Sequence, residues 1–437
     1  MIIRLIWWSL KIISICIIVA FIANQEGNSQ IVWVGWKMEI PTSILFGGFL
    51  LLIIIILWLH NLWKLIINLP TNISKLVKEN RQKTGYNALA YGLAASSAGD
   101  IESTQKYAAQ AQRLLDNKDL TEMLSAHAAH LSGDKNAAFK YFNNLANRSS
   151  TKFHGQLGLM RLAIENNDHD EALIRARAAN SIQPRNPKLN SLLVMMEAKK
   201  EHFEKAIEVL QKGRRIGSIE EEKAQNLAAA LHTKIGMKKL EENQLSEAEK
   251  SFALALREKT DFIPAVISLS KIFIGKDNQR KALSLLSKVW KIKPHPEIAQ
   301  TLKLIWKNER ASVNIANLIN LTEDNANSQA RLIIADEAIS AGLKGEANDQ
   351  LSKISTEQHN KTYHQLMSRL ADQSNDKTKS NQELEKALEA NPSQAWVCSS
   401  CGFSYDFWSI KCSNCDNIGS IESVSYTHLT LPTKRIV

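Results

Sequence analysis

The sequence predicts an all-α protein in which two transmembrane helices are followed by a solenoid of short helix pairs and by a small C-terminal metal-binding knuckle domain. Three observations predict this order. Two long apolar segments lie within residues 1–70. A small residue recurs at intervals of 34 residues through the middle of the chain. Four cysteines form two C-x-x-C pairs near the end.

The apolar segments are residues 5–23 (LIWWSLKIISICIIVAFIA) and residues 44–69 (ILFGGFLLLIIIILWLHNLWKLIINL). Each is close to the roughly 20 residues that a helix needs to cross a bilayer. A cleaved signal peptide is the alternative for the first segment, but no small-residue cleavage site follows it. We therefore predict that residues 1–70 form two membrane-spanning helices, joined by a short external loop at residues 24–42.

Basic residues predict the orientation of these helices. Lys37 lies between the two spans, whereas a basic cluster follows the second span: Lys64, Lys75, Lys78, Arg81 and Lys83. Because basic residues favour the cytoplasmic side, both chain ends are predicted to be cytoplasmic. The cluster also contributes to the net charge of +10. It predicts a basic juxtamembrane helix at residues 71–86 that meets anionic lipid headgroups, so we expect no nucleic-acid partner.

Helical repeats are predicted for residues 87–392. A small residue falls at the same place in each second helix, and the series resumes after one longer interval: Thr104, Ala138, Ala172, Ala206, Ala248 and Ala282. A small side chain lets two helices cross closely at that point. A large apolar residue follows four positions later in most repeats, at Phe142, Leu210, Phe252 and Leu286. The pattern resembles the tetratricopeptide repeat, a pair of antiparallel helices joined by a tight turn.

The repeats predict a protein-binding function and not an enzyme. Tetratricopeptide-type solenoids present a groove to protein partners, and we identify no convincing set of catalytic residues in this chain. His127 and His130 have helical ligand spacing, but no carboxylate follows at a spacing that would complete a metal site. Acidic residues at the start of one helix are expected to favour its N-terminal dipole: Asp168, Asp170 and Glu171.

A metal site is predicted for residues 393–423. The four candidate ligands are Cys398, Cys401, Cys412 and Cys415. Two C-x-x-C turns supply four thiolates to one tetrahedral ion, which suits zinc and also the single iron of a rubredoxin. Iron would leave open a redox or haem-handling role. Disulfides are the alternative, but they rarely persist in the cytosol. We expect the knuckle to cap the solenoid.

The paired spans with IVWVGWKMEIP, followed by the repeat YGLAASSAGDIESTQKYAAQA, resemble the HemY family of bacterial inner-membrane proteins. The resemblance covers about residues 1–390. It implies a multi-pass protein of the inner membrane, with a periplasmic loop at residues 24–42. That family is associated with late protohaem biosynthesis and is regarded as a non-catalytic accessory or scaffold. The implied partners are therefore haem-biosynthetic enzymes; whether haem itself binds stays open.

The C-terminal segment WVCSSCGFSYDFWSIKCSNC is instead similar to the rubredoxin-type end of the LapB family. LapB proteins are membrane-anchored tetratricopeptide proteins that regulate lipopolysaccharide assembly. This resemblance implies an alternative function, in which the chain recruits a membrane protease. The last residues, 424–437 (VSYTHLTLPTKRIV), fit neither family and resemble translated adapter sequence, so we interpret them as a non-native tail.

Overall fold

The structure is a computed structural model that describes residues 13–14, 17–21, 24, 27–322 and 327–424. Most of the first predicted span, residues 5–23, lies outside the described residues, and so does the predicted non-native tail beyond Val424. The chain divides into two compact units, Met1–Tyr141 and Phe142–Val437.

A β-hairpin occupies most of the predicted external loop at residues 24–42. Its strands are β1 (Asn28–Trp33) and β2 (Trp36–Pro41), which pair antiparallel. The two residues between them, Val34 and Gly35, have φ angles of 50° and 86°. Positive φ at both central residues is typical of a type I′ turn, whose twist matches the twist of the two paired strands. The predicted external loop is therefore largely a β-hairpin.

A single helix of 57 residues, α1 (Thr42–Ala98), follows the hairpin directly. Among the described residues, its first part, Thr42–Lys64, is the one helix long and apolar enough to cross a membrane. In the part of the chain that the structure describes, one of the two predicted spans is thus a helix that could cross a membrane. The predicted basic helix at residues 71–86 is not a separate element, because backbone hydrogen bonding continues through the change in composition. Gly99, with a φ of 74°, ends α1.

Short helices make up most of the remaining chain. The first unit contains α2 (Ile101–Leu114), α3 (Lys118–Leu131) and the beginning of α4 (Lys135–Ala146). The second unit contains α5 (Lys152–Glu165), α6 (His169–Ile182), α7 (Pro187–Lys199), α8 (Phe203–Arg215), α9 (Glu221–Glu241), α10 (Leu245–Glu258), α11 (Ile263–Gly275), α12 (Gln279–Ile292), α13 (Pro296–Ile305), α14 (Ala311–Leu321), α15 (Ser328–Ser340), α16 (Lys344–Ser352), α17 (Lys361–Gln373) and α18 (Lys377–Glu389). Within it, α5 packs on α6, α7 on α8, α9 on α10, and α11 on α12.

The turn inside each repeat has one residue in the left-handed region. These residues recur with the same spacing as the small residues, and their φ angles lie between 55° and 76°: Gly99, Gly133, Asn167, Glu201, Asn243 and Asp277. Glycine, asparagine and aspartate tolerate this conformation best. The one longer interval has a simple cause, because α9 has 21 residues whereas α7 and α11 have 13 each. The repeat period is therefore a property of the turns as well as of the helices.

The predicted small residues all lie at closely packed positions. Each is 0% exposed: Thr104, Ala138, Ala172, Ala206, Ala248 and Ala282. The large apolar residue four positions later packs against a neighbouring helix: Phe142 lies against Gly158 of α5, and Phe252 lies against Gly236 of α9. Phe252 is 0% exposed, and a Cβ added to Gly236 of α9 would lie 2.7 Å from Phe252 Cε1. The prediction that helices cross closely at these positions is confirmed.

Two glycine substitutions test this packing. Gly236→Ala is expected to destabilise the repeats by about 1–3 kcal/mol, because the buried ring of Phe252 has little room to move. The matched control is Gly275→Ala at the end of α11, where nothing lies within 4 Å of the added Cβ. It should be stabilising by about 0.5–1 kcal/mol through its helix propensity. Thermal unfolding followed by circular dichroism measures both changes, and equal effects would contradict the close contact.

Candidate metal centre

Three short strands build the scaffold of the C-terminal knuckle. They are β3 (Ala395–Cys398), β4 (Ser404–Tyr405) and β5 (Ile421–Val424). The central strand β3 pairs antiparallel with both others. Cys398 is the last residue of β3. Its backbone, and with it the position of one candidate ligand, is therefore fixed by the sheet. The knuckle is thus a small β module attached to an otherwise helical unit.

The two C-x-x-C segments adopt the same backbone arrangement. The Cys398 N–H donates to Phe403 O at 2.9 Å, and the Cys412 N–H donates to Asn417 O at 2.8 Å. The residue after each second cysteine is left-handed, with φ 74° at Gly402 and 58° at Asp416. Glycine adopts this conformation most readily, and only the first of the two positions has one. Asp416 directly follows Cys415, as Gly402 directly follows Cys401. This equivalent placement is the sequence signal that could have revealed the second turn.

The four predicted ligands converge on one point. Their sulfur atoms all lie within 4.8 Å of one another. Cys398 Sγ is 3.7 Å from Cys415 Sγ, and Cys401 Sγ is 3.6 Å from Cys412 Sγ. A tetrahedral ion with metal–sulfur bonds of about 2.3 Å needs sulfurs about 3.8 Å apart. The geometry and the four-thiol chemistry therefore fit a metal ion; they do not separate zinc from iron.

The electrostatics of the sulfurs favour a bound cation. Burial raises the pKa of Cys412, but hydrogen bonds outweigh it and lower that pKa to about 6. They come from the Tyr405 hydroxyl, 3.1 Å from Cys412 Sγ, and from backbone N–H groups that include Cys415. For Cys415, a hydrogen bond from the Asn417 backbone lowers the pKa, yet burial and the neighbouring sulfurs together raise it to about 12. Four thiolates therefore need a positive ion between them.

Hydroxyl groups also contact the two buried sulfurs. Besides Tyr405, the Ser420 hydroxyl lies 3.2 Å from Cys398 Sγ. The sequence alone indicates neither Tyr405 nor Ser420 as a contact of the sulfurs. No spacing rule marks either residue, because both contacts depend on how the strands fold over the cysteines. Such outer contacts orient metal ligands and adjust their basicity.

The knuckle folds back onto the first helices of earlier repeats. Trp396, which is 4% exposed, has its ring centroid 5.1 Å from that of His295. Its Nε1–H donates to Glu297 Oε1 at 3.3 Å. The rings of Trp408 and Phe262 pack edge to face, with their centroids 5.6 Å apart. The expectation of a cap therefore needs correction: the knuckle lies against α11 and α13 in addition to following the last helix.

Further contacts reach back to α9. Ile410 and Ile418 belong to a buried apolar cluster that includes Ala228 and Leu231 of this helix. The Asn226 side chain donates to Glu422 Oε1 at 3.3 Å, across 196 residues of sequence. The knuckle is therefore seated on one face, formed by α9, α11 and α13, that we call the first-helix face.

A buried histidine supports this seat in its neutral form. His295 precedes α13, and its Nδ1 accepts the N–H of Glu297 at 3.3 Å. Burial, followed by the nearby charge of Lys293, lowers the pKa of His295 to about 4. The imidazole is therefore uncharged at neutral pH. It can cap α13 and pack against the Trp396 ring without an unpaired charge beneath the knuckle.

The other polar residues singled out in the sequence have structural roles. Asp168 accepts the N–H of Glu171 at 3.0 Å and so caps α6. Glu171 pairs with Arg175 at 2.7 Å, and Asp170 pairs with Lys200 at 2.7 Å. The four cysteines are the one group of three or more possible ligands that converges within the described part of the chain. His127 and His130 are not part of such a group.

Comparison with known proteins identifies a relationship for part of the chain. A family model described as the HemY protein N-terminus matches residues 27–133, which include the hairpin, the candidate span and the first repeat. The probable magnetosome protein Mms48 of Magnetospirillum gryphiswaldense is 25% identical over 124 residues. This match covers 28% of the present chain and 28% of Mms48. The chain thus matches little more than a quarter of the length of that relative.

Several solved structures are similar at low identity. The Naa15/Naa10 complex bound to HypK-THB gives a TM-score of 0.37 at 11% identity, covering 73% of this chain and 60% of that one. MamA residues 41 to the end from Desulfovibrio magneticus RS-1 give 0.26 at 15% identity, with coverages of 48% and 95%. YrrB, described as a tetratricopeptide protein with an unusual peptide-binding site, gives 0.26 at 20% identity, with coverages of 43% and 94%.

Proposed function

We propose that this chain is a membrane-anchored, non-catalytic docking protein that holds enzymes of late haem (protohaem) biosynthesis near the bacterial inner membrane. The observation that carries the proposal is the HemY N-terminus match at residues 27–133. It covers the segment in which the hairpin, the candidate span and the first repeat are joined. The partners of the proposed assembly are proteins and membrane lipids.

The anchor is the first part of α1. Because Thr42–Lys64 continues into the first repeat within one helix, the repeats begin at a fixed distance from the bilayer. Exposed basic residues follow the span on the same helix, among them Lys75, Lys78 and Lys83. Basic side chains at this place are attracted to the anionic inner leaflet. They support the proposed topology, in which the repeats and both chain ends are cytoplasmic.

The proposed docking surface lies on the repeats. Helical repeats of this kind use extended faces to hold other proteins, and the knuckle takes up part of the first-helix face. A metal ion at the four cysteines, zinc or iron, would hold the knuckle folded; Cys398, Cys401, Cys412 and Cys415 are its proposed ligands. The partner then meets a surface formed jointly by helices and knuckle.

The knuckle also favours a second candidate function. A four-cysteine module packed onto tetratricopeptide-like repeats is the arrangement that the LapB resemblance implies. Under this alternative, the chain regulates envelope or lipopolysaccharide assembly by recruiting a membrane protease. The HemY match covers only residues 27–133, so the knuckle itself lies outside it.

Co-purification distinguishes the two functions. The full chain is isolated from native membranes in mild detergent, and the bound proteins are identified by mass spectrometry. We expect haem-biosynthetic enzymes, and we expect weaker recovery with Trp396→Ala, which should loosen the knuckle. Envelope-assembly factors or a membrane protease without haem enzymes would contradict the first function and support the second.

A further inference from the structure

The hairpin formed by β1 and β2 has one apolar and one mainly polar face. In the register of the two strands, Ile31 lies opposite Met38. Trp36 and Ile40 lie on the same face as Met38, because alternate residues of a strand point the same way. The side chains of Ile31, Trp36 and Met38 are 43%, 80% and 57% exposed. These three side chains are exposed within the described part of the chain, whereas Ile40, next to the start of α1, is half-buried.

The opposite face carries the charged residues of the hairpin. Gln30 pairs with Glu39 in register, and the Gln30 amide donates to Glu39 Oε1 at 2.8 Å. Lys37 lies on this face as well, opposite Val32. Two faces of different polarity are typical of an element that lies at the boundary between water and an apolar medium.

A hairpin of two strands needs such a medium for its stability. Isolated two-stranded sheets are marginally stable in water and usually need another surface to pack against. Each strand also has an outer edge whose backbone groups are not paired in the two-stranded sheet. These groups need water or headgroups and cannot enter the hydrocarbon. The suitable depth is therefore the headgroup layer, where tryptophan side chains are favoured.

The connection to α1 places the hairpin at this layer. Pro41 ends β2, and Thr42 begins the helix that contains the candidate span. The Thr42 N–H donates to Gly27 O at 3.0 Å, which ties the start of β1 to the start of the helix. At about 3.3 Å per residue, each strand is roughly 20 Å long. The hairpin is thus long enough to lie along the membrane surface beside the end of the span.

We propose that the hairpin is an interfacial anchor whose apolar face, Ile31, Trp36, Met38 and Ile40, rests on the lipid acyl chains at the side of the membrane where α1 begins. The inference rests on the proposed membrane anchoring and extends it to a second lipid-binding element. The polar face, with Gln30, Lys37 and Glu39, is turned towards water. The hairpin then limits how far the span can slide or tilt in the bilayer.

Site-specific photocrosslinking tests the proposal. A photoreactive p-benzoyl-phenylalanine is introduced at Met38, at its polar-face neighbour Lys37, or at Leu52 within α1, each in the full chain. The proteins are reconstituted in vesicles of phosphatidylethanolamine and phosphatidylglycerol, illuminated, and examined for lipid adducts by mass spectrometry. All three positions are exposed, so the bulky probe should not disturb folding.

We expect lipid adducts from Met38 and Leu52, and far fewer from Lys37. Adducts from Leu52 without adducts from Met38 would overturn the hairpin anchor while leaving the span intact. Equal labelling at Met38 and Lys37 would overturn the proposed sidedness. Adducts between two chains would overturn the lipid anchor and assign the apolar face to a second copy of the chain instead. No adduct from Leu52 would contradict the membrane span, and the hairpin proposal with it.

Discussion

Cys412→Ser is expected to unfold the knuckle while the repeats stay helical. Cys412 is 0% exposed, and its sulfur lies 3.6 Å from Cys401 Sγ and 3.1 Å from the Tyr405 hydroxyl. Structural zinc contributes about 10–16 kcal/mol to the folding of small zinc-finger peptides. Few other contacts within the knuckle could replace such a contribution. Hydrogen exchange should therefore show residues 395–424 losing their protection, with little change in the helical circular dichroism.

Ser413→Ala is the matched control for this substitution. Ser413 is the exposed neighbour of Cys412 and is not one of the proposed ligands; its hydroxyl lies 3.0 Å from that of Tyr405, so the control removes one outer contact while it leaves all four sulfurs in place. The control should keep both the metal ion and the protection of the knuckle. If Cys412→Ser kept the same protection as Ser413→Ala, the four-thiolate site would not be what holds this module folded.

Trp396→Ala is expected to release the knuckle from the first-helix face without removing its metal ion. Trp396 is 4% exposed and packs beside His295, and its indole N–H reaches Glu297. Removing a buried tryptophan side chain usually costs about 3–5 kcal/mol. The sulfur ligands are untouched, so loss of docking should separate from loss of metal. Hydrogen exchange at the first-helix face should rise, whereas the metal-to-protein ratio should stay the same.

Phe407→Ala is the control for loss of docking. Phe407 also belongs to the knuckle, but its side chain is 78% exposed. Its removal should change stability by less than about 0.5 kcal/mol. If hydrogen exchange at the first-helix face were equal in Trp396→Ala and Phe407→Ala, the contacts of Trp396 would not be what holds the knuckle in place.

Local patterns predicted the repeats and the convergence of the four cysteines. The small residues are spaced by the geometry of one helix pair, so Ala248 and Ala282 reveal their role without knowledge of distant contacts. The same holds for Cys398 and Cys401, because a C-x-x-C turn is a local structure. The hairpin also has a local signal, the alternation of apolar and polar residues that follows Val34 and Gly35. Because its apolar residues lie next to a predicted span, the sequence predicts only a loop there.

The seating of the knuckle could not be predicted from local patterns. It depends on contacts such as that between Asn226 and Glu422, which are 196 residues apart. Nothing in the composition of either segment specifies the other as its partner. The roles of Tyr405 and Ser420 beside the sulfurs escaped prediction for the same reason, since they follow from the fold of the three strands.

The metal content of the unmodified full chain tests the central claim of a metal-held knuckle most directly. The protein is purified from native membranes without added metal, and the ions are counted by elemental mass spectrometry. Four sulfurs that lie within 4.8 Å of one another predict one zinc or iron ion per chain. A chain that contains no metal, yet protects residues 395–424 from hydrogen exchange, would contradict the account.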